Sequence, residues 1–265
     1  MKKVSFLFAA VMLFVSNGVQ AQEYSSDPFL FNHLGAGVSI GLDGIGVELA
    51  TPVTPYLGLR AGVSFYPTIK VNVDDIDYTR NDKDGEAEVK TKFSRIEGKL
   101  LMDVYPFGNK LSLHLTGGFF VGKSDWLTAT LIEDPNAEFG GGIRKMIGNE
   151  QWNVRAVNHE VDLRLTTNSF KPYLGIGFGR MVPKPGKRVG VSCDIGVQFH
   201  GKPQLEGYAT VTTAYNGDLH KWVELEADDF DFGEDFHDDI EDVLDVVHKV
   251  KVWPVLNIRI TGRIF

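Results

Sequence analysis

Charged side chains of both signs recur on one face of several alternating segments, and they are the residues of this chain best suited to ion-pair chemistry. Eight of them form the candidate set: Arg60, Arg95, Glu97, Lys99, Asp103, Asp162, Arg164 and Arg259. Cations and carboxylates on one face of neighbouring strands pair with each other when that face is enclosed. We therefore predict a network of ion pairs that fills or gates the interior of a closed sheet.

The residues that usually carry catalysis or bind transition metals lack the necessary spacing. None of the seven histidines lies in an HExxH or Gly-x-Ser-x-Gly pattern. Cys193 is the single cysteine, which excludes a disulfide framework and a cysteine-rich zinc site. His114 is expected to face the interior, where we interpret it as structural. We predict neither a cofactor nor an enzymatic activity.

Acidic and glycine-rich stretches invite two further ligand interpretations. Carboxylates are dense between Glu224 and Asp245 and again between Asp74 and Asp84, but neither spacing fits an EF-hand loop. Both are interpreted as solvated loops, for which weak binding of a divalent cation is the predicted ligand interaction. The glycines at 41–46 and 140–142 lack the following helix or the lysine that a nucleotide site needs.

The elements that must position these residues show a period of two. In Val189–His200 every second residue is apolar, and glycine or polar residues alternate with them. The same alternation is present in nine further segments: Leu34–Gly41, Ile45–Thr51, Leu57–Phe65, Ile96–Val104, Leu111–Thr116, Glu160–Thr166, Leu174–Gly179, Leu205–Tyr215 and Leu256–Ile264. It is weakest in Leu205–Tyr215. Such alternation is typical of strands whose two faces meet different surroundings, so the chain is predicted to be all-β.

The connections between these segments alternate between short turns and long polar loops. Short links lie at 52–55, 106–110, 167–171 and 201–204, and long ones at 67–92, 123–156 and 216–250. This alternation is typical of bacterial transmembrane β-barrels. Glycine and mixed charge on the polar face, with aromatic residues near strand ends, favour a lipid-facing apolar side and a polar lumen. A formal net charge of −8 argues against a nucleic-acid partner.

The first 21 residues have the pattern of a secretory signal peptide. Lys2 and Lys3 precede an apolar stretch, Val4–Val15, and Val19–Ala21 forms a small-residue cleavage site. The apolar stretch is too short to be a spanning helix. We therefore expect residues 1–21 to direct export, and residues 22–265 to form a single barrel domain.

Several segments resemble the small outer-membrane β-barrel proteins of Gram-negative bacteria. The resemblance is carried by LLMDVYPF at 100–107, SFKPYLGIGFGR at 169–180, VSCDIGVQFHGKPQ at 191–204 and VWPVLNIRITGRIF at 252–265. It implies a porin-like barrel domain in the outer membrane, in contact with lipid and inserted by the barrel-assembly machinery. The terminal Phe265 is in phase with Arg263, which predicts either a bulge at Gly262 or an atypical assembly signal.

Together these patterns predict a closed antiparallel transmembrane β-barrel with an even number of strands. Ten strands are predicted, or eight if Leu34–Thr51 is one strand and Leu205–Tyr215 is loop, with a short amphipathic helix near 236–248. The predicted function is structural or porin-like, with a narrow charged lumen. The alternative is a surface scaffold whose acidic loops bind a partner, a glycan or a divalent cation, and a secreted barrel for an apolar ligand is a third hypothesis.

Overall fold

The fold is described by a computed structural model over residues 33–80, 83–108, 110–123, 125–133, 147–154, 156–157, 160–184, 186–213, 217–230 and 234–264. The predicted signal peptide, the glycines at 140–142 and Phe265 lie outside these residues. No helix among them is long and apolar enough to cross a membrane.

Strands dominate the described residues. In chain order they are β1 (Gly35–Gly41), β2 (Gly44–Thr54), β3 (Leu57–Phe65), β4 (Ile69–Arg80), β5 (Lys83–Phe93), β6 (Ile96–Val104), β7 (Leu113–Gly122), β8 (Asp125–Glu133), β9 (Trp152–Val154), β10 (Ala156–Val157), β11 (Glu160–Thr166), β12 (Phe170–Phe178), β13 (Val189–Phe199), β14 (Gln204–Thr213), β15 (Gly217–Glu224) and β16 (Val252–Arg263). A 16-residue helix, α1 (Glu234–Lys249), precedes β16.

Eight strands close into an antiparallel barrel in the order β1, β16, β13, β12, β7, β6, β3, β2. The described termini and the turns after β2, β6 and β12 lie at one end, which we call the lower end. The three long connections all leave from the opposite, upper end. They build a second antiparallel sheet, the upper sheet, in the order β15, β14, β11, β8, β5, β4, with β10 paired to β11 and β9 to β14.

The predicted count of ten barrel strands is wrong, and the alternative of eight is confirmed. β11 and β14 alternate as predicted, but they pair with each other and with β8 and β15 in the upper sheet. The region Leu34–Thr51 is not one strand, because the chain reverses between β1 and β2, where Gly44 adopts a φ of 93°. A period of two is common to both sheets, so it does not reveal which sheet a strand joins.

The predicted long loops are also more ordered than the sequence suggested, since β4, β5, β8 and β15 lie within them. The predicted helix is confirmed as α1. Leu244 of this helix is buried, Val246 is exposed, and Lys249 pairs with Asp245 at 3.1 Å one turn earlier. At the end of β16, Gly262 keeps regular register with Ala36 and Val189, so no bulge occurs there.

The two faces of the barrel wall have opposite characters. Ile258 exposes 53% of its surface on the outside, whereas the next residue, Arg259, exposes 3% on the inside. The same inversion runs round the barrel and leaves an outward belt of exposed apolar side chains: Ile40, Val47, Leu49, Val63, Ile96, Leu100, Leu115, Val121, Leu174, Ile176, Val191, Ile195, Leu256, Ile258 and Ile260.

A glycine on the inner face has no room for a side chain. A Cβ at Gly62 in β3 would lie 2.5 Å from the carbonyl oxygen of Val47 and 2.6 Å from Cγ of Glu48. We expect Gly62→Ala to lower the free energy of unfolding by about 1–3 kcal/mol, the usual cost of overpacking. Gly98→Ala is the matched control, because its Cβ would meet nothing nearer than 3.7 Å. Urea unfolding of both variants tests this, and equal stabilities would contradict it.

Candidate functional site

Asp194, on the inner face of β13, is the centre of the lower part of the interior. Its carboxylate accepts hydrogen bonds from Arg60 Nη1 at 3.0 Å, Arg259 Nη1 at 2.9 Å and His114 Nε2 at 2.7 Å. These donors come from three different strands, β3, β16 and β7, which meet here because each presents its polar phase to the barrel axis. A single carboxylate thus joins four strands across the lumen.

Glu48 of β2 connects this centre to the upper half of the interior. Its carboxylate lies 2.8 Å from Arg259 Nε and 2.6 Å from Lys99 Nζ, and Lys99 also binds Asp43 at 3.0 Å. On β6, two strands from β2, Asp103 pairs with Arg60 of the intervening strand β3 at 3.1 Å. The cations and carboxylates therefore form one continuous network rather than isolated pairs.

A second group closes the upper mouth, and we call Arg95, Glu97, Lys171 and Gln198 the mouth cluster. Glu97 accepts hydrogen bonds from Arg95 Nη2 and Lys171 Nζ, each at 2.6 Å, and from Gln198 Nε2 at 3.0 Å. Arg95 also donates to the side-chain oxygen of Gln198. Two cations therefore share one carboxylate in this cluster.

Aromatic rings cover the mouth cluster from above. The Arg95 guanidinium lies 4.5 Å from the ring centre of Trp126 and 5.7 Å from that of Trp253. His200, just beyond the end of β13, packs against Trp126 with ring centres 4.6 Å apart. Burial and the positive charge of Arg95 lower the pKa of His200, so its imidazole is neutral at pH 7.

The turn between β12 and β13 closes the lower end. Met181 from this turn is buried, and its sulfur accepts from Arg259 Nη1 at 2.9 Å and from Arg60 Nη1 at 3.5 Å. Beside it, the Arg180 guanidinium stacks on Tyr105 at 4.8 Å and donates to the carbonyl of Gly108. The thioether, a weak acceptor, thereby caps the arginines of the network.

The side chains inside the barrel have almost no surface that is accessible to solvent. Asp103, His114, Lys171 and Gln198 each expose 0%. The described residues therefore fill the lumen with paired charges from the mouth cluster down to Met181.

The structure brings six of the eight predicted residues into this interior: Arg60, Arg95, Glu97, Lys99, Asp103 and Arg259. Asp162 and Arg164 lie elsewhere, because β11 belongs to the upper sheet. There Asp162 accepts from Thr130 at 2.8 Å, and Arg164 donates to Glu206 at 2.6 Å and stacks on Trp222 at 4.1 Å.

The candidate set lacked four charged members of the interior. Glu48 and Asp194 lie on the polar phase of predicted strands, so the alternation itself contained the signal for them. Asp43 lies in the turn between β1 and β2, and Lys171 falls in a segment interpreted as a link between strands. No alternation covers the turn of Asp43, whereas Lys171 is in phase with Gly175 and would have been found by extending the alternation of β12 towards its start.

His114 and Asp194 are joined by a hydrogen bond of 2.7 Å, a length seen in catalytic dyads. The surrounding residues nevertheless indicate a structural role for this pair within the ion-pair network. His114 has no exposed surface, and two arginines occupy Asp194. Among the described residues, no group of three or more histidine, cysteine or acidic side chains is arranged to hold a metal ion.

Comparison with known proteins gives low identities over most of the chain. No protein-family model and no curated protein matches it. Similar solved structures include CarO2 of Acinetobacter baumannii, at 19% identity and a TM-score of 0.49, covering 88% of this chain and 99% of that one. CarO of Acinetobacter baumannii is 18% identical, with a TM-score of 0.44 and coverages of 88% and 97%.

A major outer membrane protein from Thermus thermophilus is 14% identical, with a TM-score of 0.32 and coverages of 87% of this chain and 98% of that one. Within this chain itself, eight antiparallel strands close on each other and their polar faces point inward. The chain therefore has the fold class that its sequence resemblance implied, a closed antiparallel β-barrel.

Proposed function

We propose that the chain is an outer-membrane β-barrel that anchors its upper sheet at the cell surface and keeps its lumen closed. The observation that carries this proposal is the inversion of the wall, with an exposed apolar belt outside and paired charges inside. A continuous apolar surface of this extent is rarely left in water, and it fits the hydrocarbon layer of a bilayer. Contact with lipid, export by way of residues 1–21 and insertion by the assembly machinery belong to the same proposal.

The orientation follows from the connections. Outer-membrane barrels keep short turns on the periplasmic side and long connections outside. The lower end, with its three short turns, would then face the periplasm. The upper sheet and α1 would extend into the medium, where they are available for binding.

Closure of the lumen favours an anchor over an open pore. In planar bilayers we expect the wild-type chain to show no steady single-channel conductance, because charged side chains and Met181 fill the interior. Glu97→Ala is expected to stay silent as well, since the Asp194 centre lies below the mouth cluster and is untouched by this change. Steady channels from the wild type would contradict the anchor.

The charged interior supports a second candidate, a small-ion porin that opens when ion pairs separate. Ion pairs are reversible contacts, and the network joins movable side chains of both signs. Under this candidate Glu97→Ala or Arg95→Ala would produce channels that the wild type lacks. The same bilayer recordings therefore separate the two functions.

Cys193 provides a direct test of the lipid contact. Its side chain is exposed on the outer face of β13, opposite Ile258 of β16. In liposomes we expect a membrane-impermeant maleimide to leave Cys193 unlabelled until the barrel is unfolded, because lipid covers the thiol. The control is Lys187→Cys in a Cys193→Ala background, studied in detergent. Its thiol lies on the exposed lower turn and should react with the maleimide while the barrel is still folded. Rapid labelling of Cys193 in intact liposomes would argue for contact with water.

A further inference from the structure

The inner face of the upper sheet continues upward from the barrel mouth. Trp126 of β8 points to the mouth, where it meets Arg95, and Thr128 and Thr130 follow on the same face because strand side chains alternate. In register, Lys92 lies opposite Thr128 and Lys90 opposite Thr130. Lys70 of β4 lies opposite Lys92. We call Lys70, Lys90 and Lys92 the lysine face.

Two of these lysines stand in an unfavourable arrangement. Like charges directly opposite each other on one sheet face repel, and this is the position of Lys70 and Lys92. Lys90 is compensated by Glu88 at 3.1 Å, but neither Lys70 nor Lys92 has an ion pair among the described residues. Lys70 and Lys92 therefore carry positive charge without an ion-pair partner among the described residues, although the same face also holds Glu88 and, opposite Thr130, Asp162.

The residues just below add further donors. Arg95 Nε and Nη1 and Trp126 Nε1 are buried and have no hydrogen-bond partner within the described part of the chain. Buried donors without partners are unfavourable, and they are uncommon in folded proteins. Arg95 and Lys171 also share Glu97 as their carboxylate, so positive charge is in excess here too.

We propose that the region between the lysine face and the mouth cluster binds the phosphate group of a ligand outside the cell. Phosphate offers several acceptor oxygens and up to two negative charges, which matches lysine charges above and orphaned N–H donors below. About two residues of strand, roughly 7 Å, separate Thr128 from Trp126, so one anion can reach both sets. Trp126 donates its indole N–H to the phosphate and uncovers Arg95 as it does so.

This inference rests on the proposed function in one respect, because the upper sheet must lie outside the membrane. Its test uses the full chain in detergent, titrated with inorganic pyrophosphate in a calorimeter. We expect saturable binding that weakens as salt is added. In the double variant Lys70→Gln/Lys92→Gln the affinity should fall by about tenfold, since two charge-assisted contacts are lost.

A second double variant, Lys187→Gln/Lys249→Gln, removes the same charge from the lower turn and from α1 and should bind as the wild type does. Trp126→Phe keeps an aromatic ring but removes the N–H. It should weaken binding and abolish the change in tryptophan fluorescence that pyrophosphate causes in the wild type. Migration of unheated samples on a gel shows that each variant is folded.

Absence of saturable binding, or equal losses in the two double variants, would overturn the phosphate site. If the wild type neither conducts in bilayers nor binds pyrophosphate, the phosphate site is refuted but the proposed anchor function is not. If the wild type conducts and binds pyrophosphate, the anchor function is refuted but the phosphate site is not. Two further probes identify the source of the phosphate. Loss of binding when lipopolysaccharide is dephosphorylated assigns a lipid headgroup, and binding of a sugar phosphate assigns a soluble ester.

Discussion

Replacing Asp194 with asparagine is expected to lower the free energy of unfolding by about 3–5 kcal/mol. The change keeps the size of the side chain but removes the charge that Arg60, Arg259 and His114 share. Both guanidinium groups then remain buried with less compensation, and a buried charge without its partner costs far more than a lost surface pair.

The remaining carboxylates limit the loss but do not prevent it. Glu48 still lies 2.8 Å from Arg259, and Asp103 still lies 3.1 Å from Arg60. Glu48 also lies 3.6 Å from Arg60 and therefore screens part of the repulsion between Arg60 and Arg259, but the closer charge of Asp194, at 3.0 Å and 2.9 Å from the two guanidinium groups, is lost. We therefore expect the full range for a broken buried pair rather than unfolding of the whole barrel.

Urea unfolding in lipid vesicles, followed by tryptophan fluorescence, measures this difference. Asp218→Asn is the matched control, because Asp218 lies on the exposed strand β15 and bonds only to Thr212 among the described side chains. The control should change stability by less than about 0.5 kcal/mol. A loss below about 1 kcal/mol for Asp194→Asn would mean that the network is solvated rather than buried.

The alternation of residues was sufficient to predict which side chains face inward on the barrel strands. Arg60, Lys99, Asp103 and Arg259 were placed correctly in this respect because each lies on the polar phase of its strand, and the phase depends on local sequence alone. Lys171 lies in a segment that the sequence pattern predicts as a link, but the structure shows that it is the second residue of β12 and that its side chain is buried.

The alternation does not predict which of the two sheets a strand joins, because strands of both sheets alternate in the same way. β11 alternates as regularly as β12, and the residues that separate them, 167–169, read as a turn between neighbouring barrel strands. Membership in the upper sheet depends on pairing with β8 and β14, which are distant in sequence. The alternation therefore predicts Asp162 and Arg164 in the lumen and gives too high a number of barrel strands.

Ile258→Arg is expected to lower the free energy of unfolding in lipid vesicles by about 2–4 kcal/mol, the cost of an arginine near the middle of the bilayer. Ile258 lies near the centre of β16, between Ile40 of β1 and Cys193 of β13, and all three side chains are exposed on the outer face. An arginine there has no carboxylate on its own face of the adjacent strands and must reach an interface through hydrocarbon.

Val246→Arg is the matched control for the same chemical change. Val246 is about as exposed as Ile258, but it lies on α1, beyond the barrel wall, where arginine meets water. It should change stability by less than about 0.5 kcal/mol. If the barrel were a soluble protein, the two substitutions would change the free energy of unfolding equally little, because both side chains would be in water before and after the change. A large loss at Ile258 alone therefore requires that its outer face meets lipid, and equal effects would refute the membrane assignment on which the proposed anchor depends.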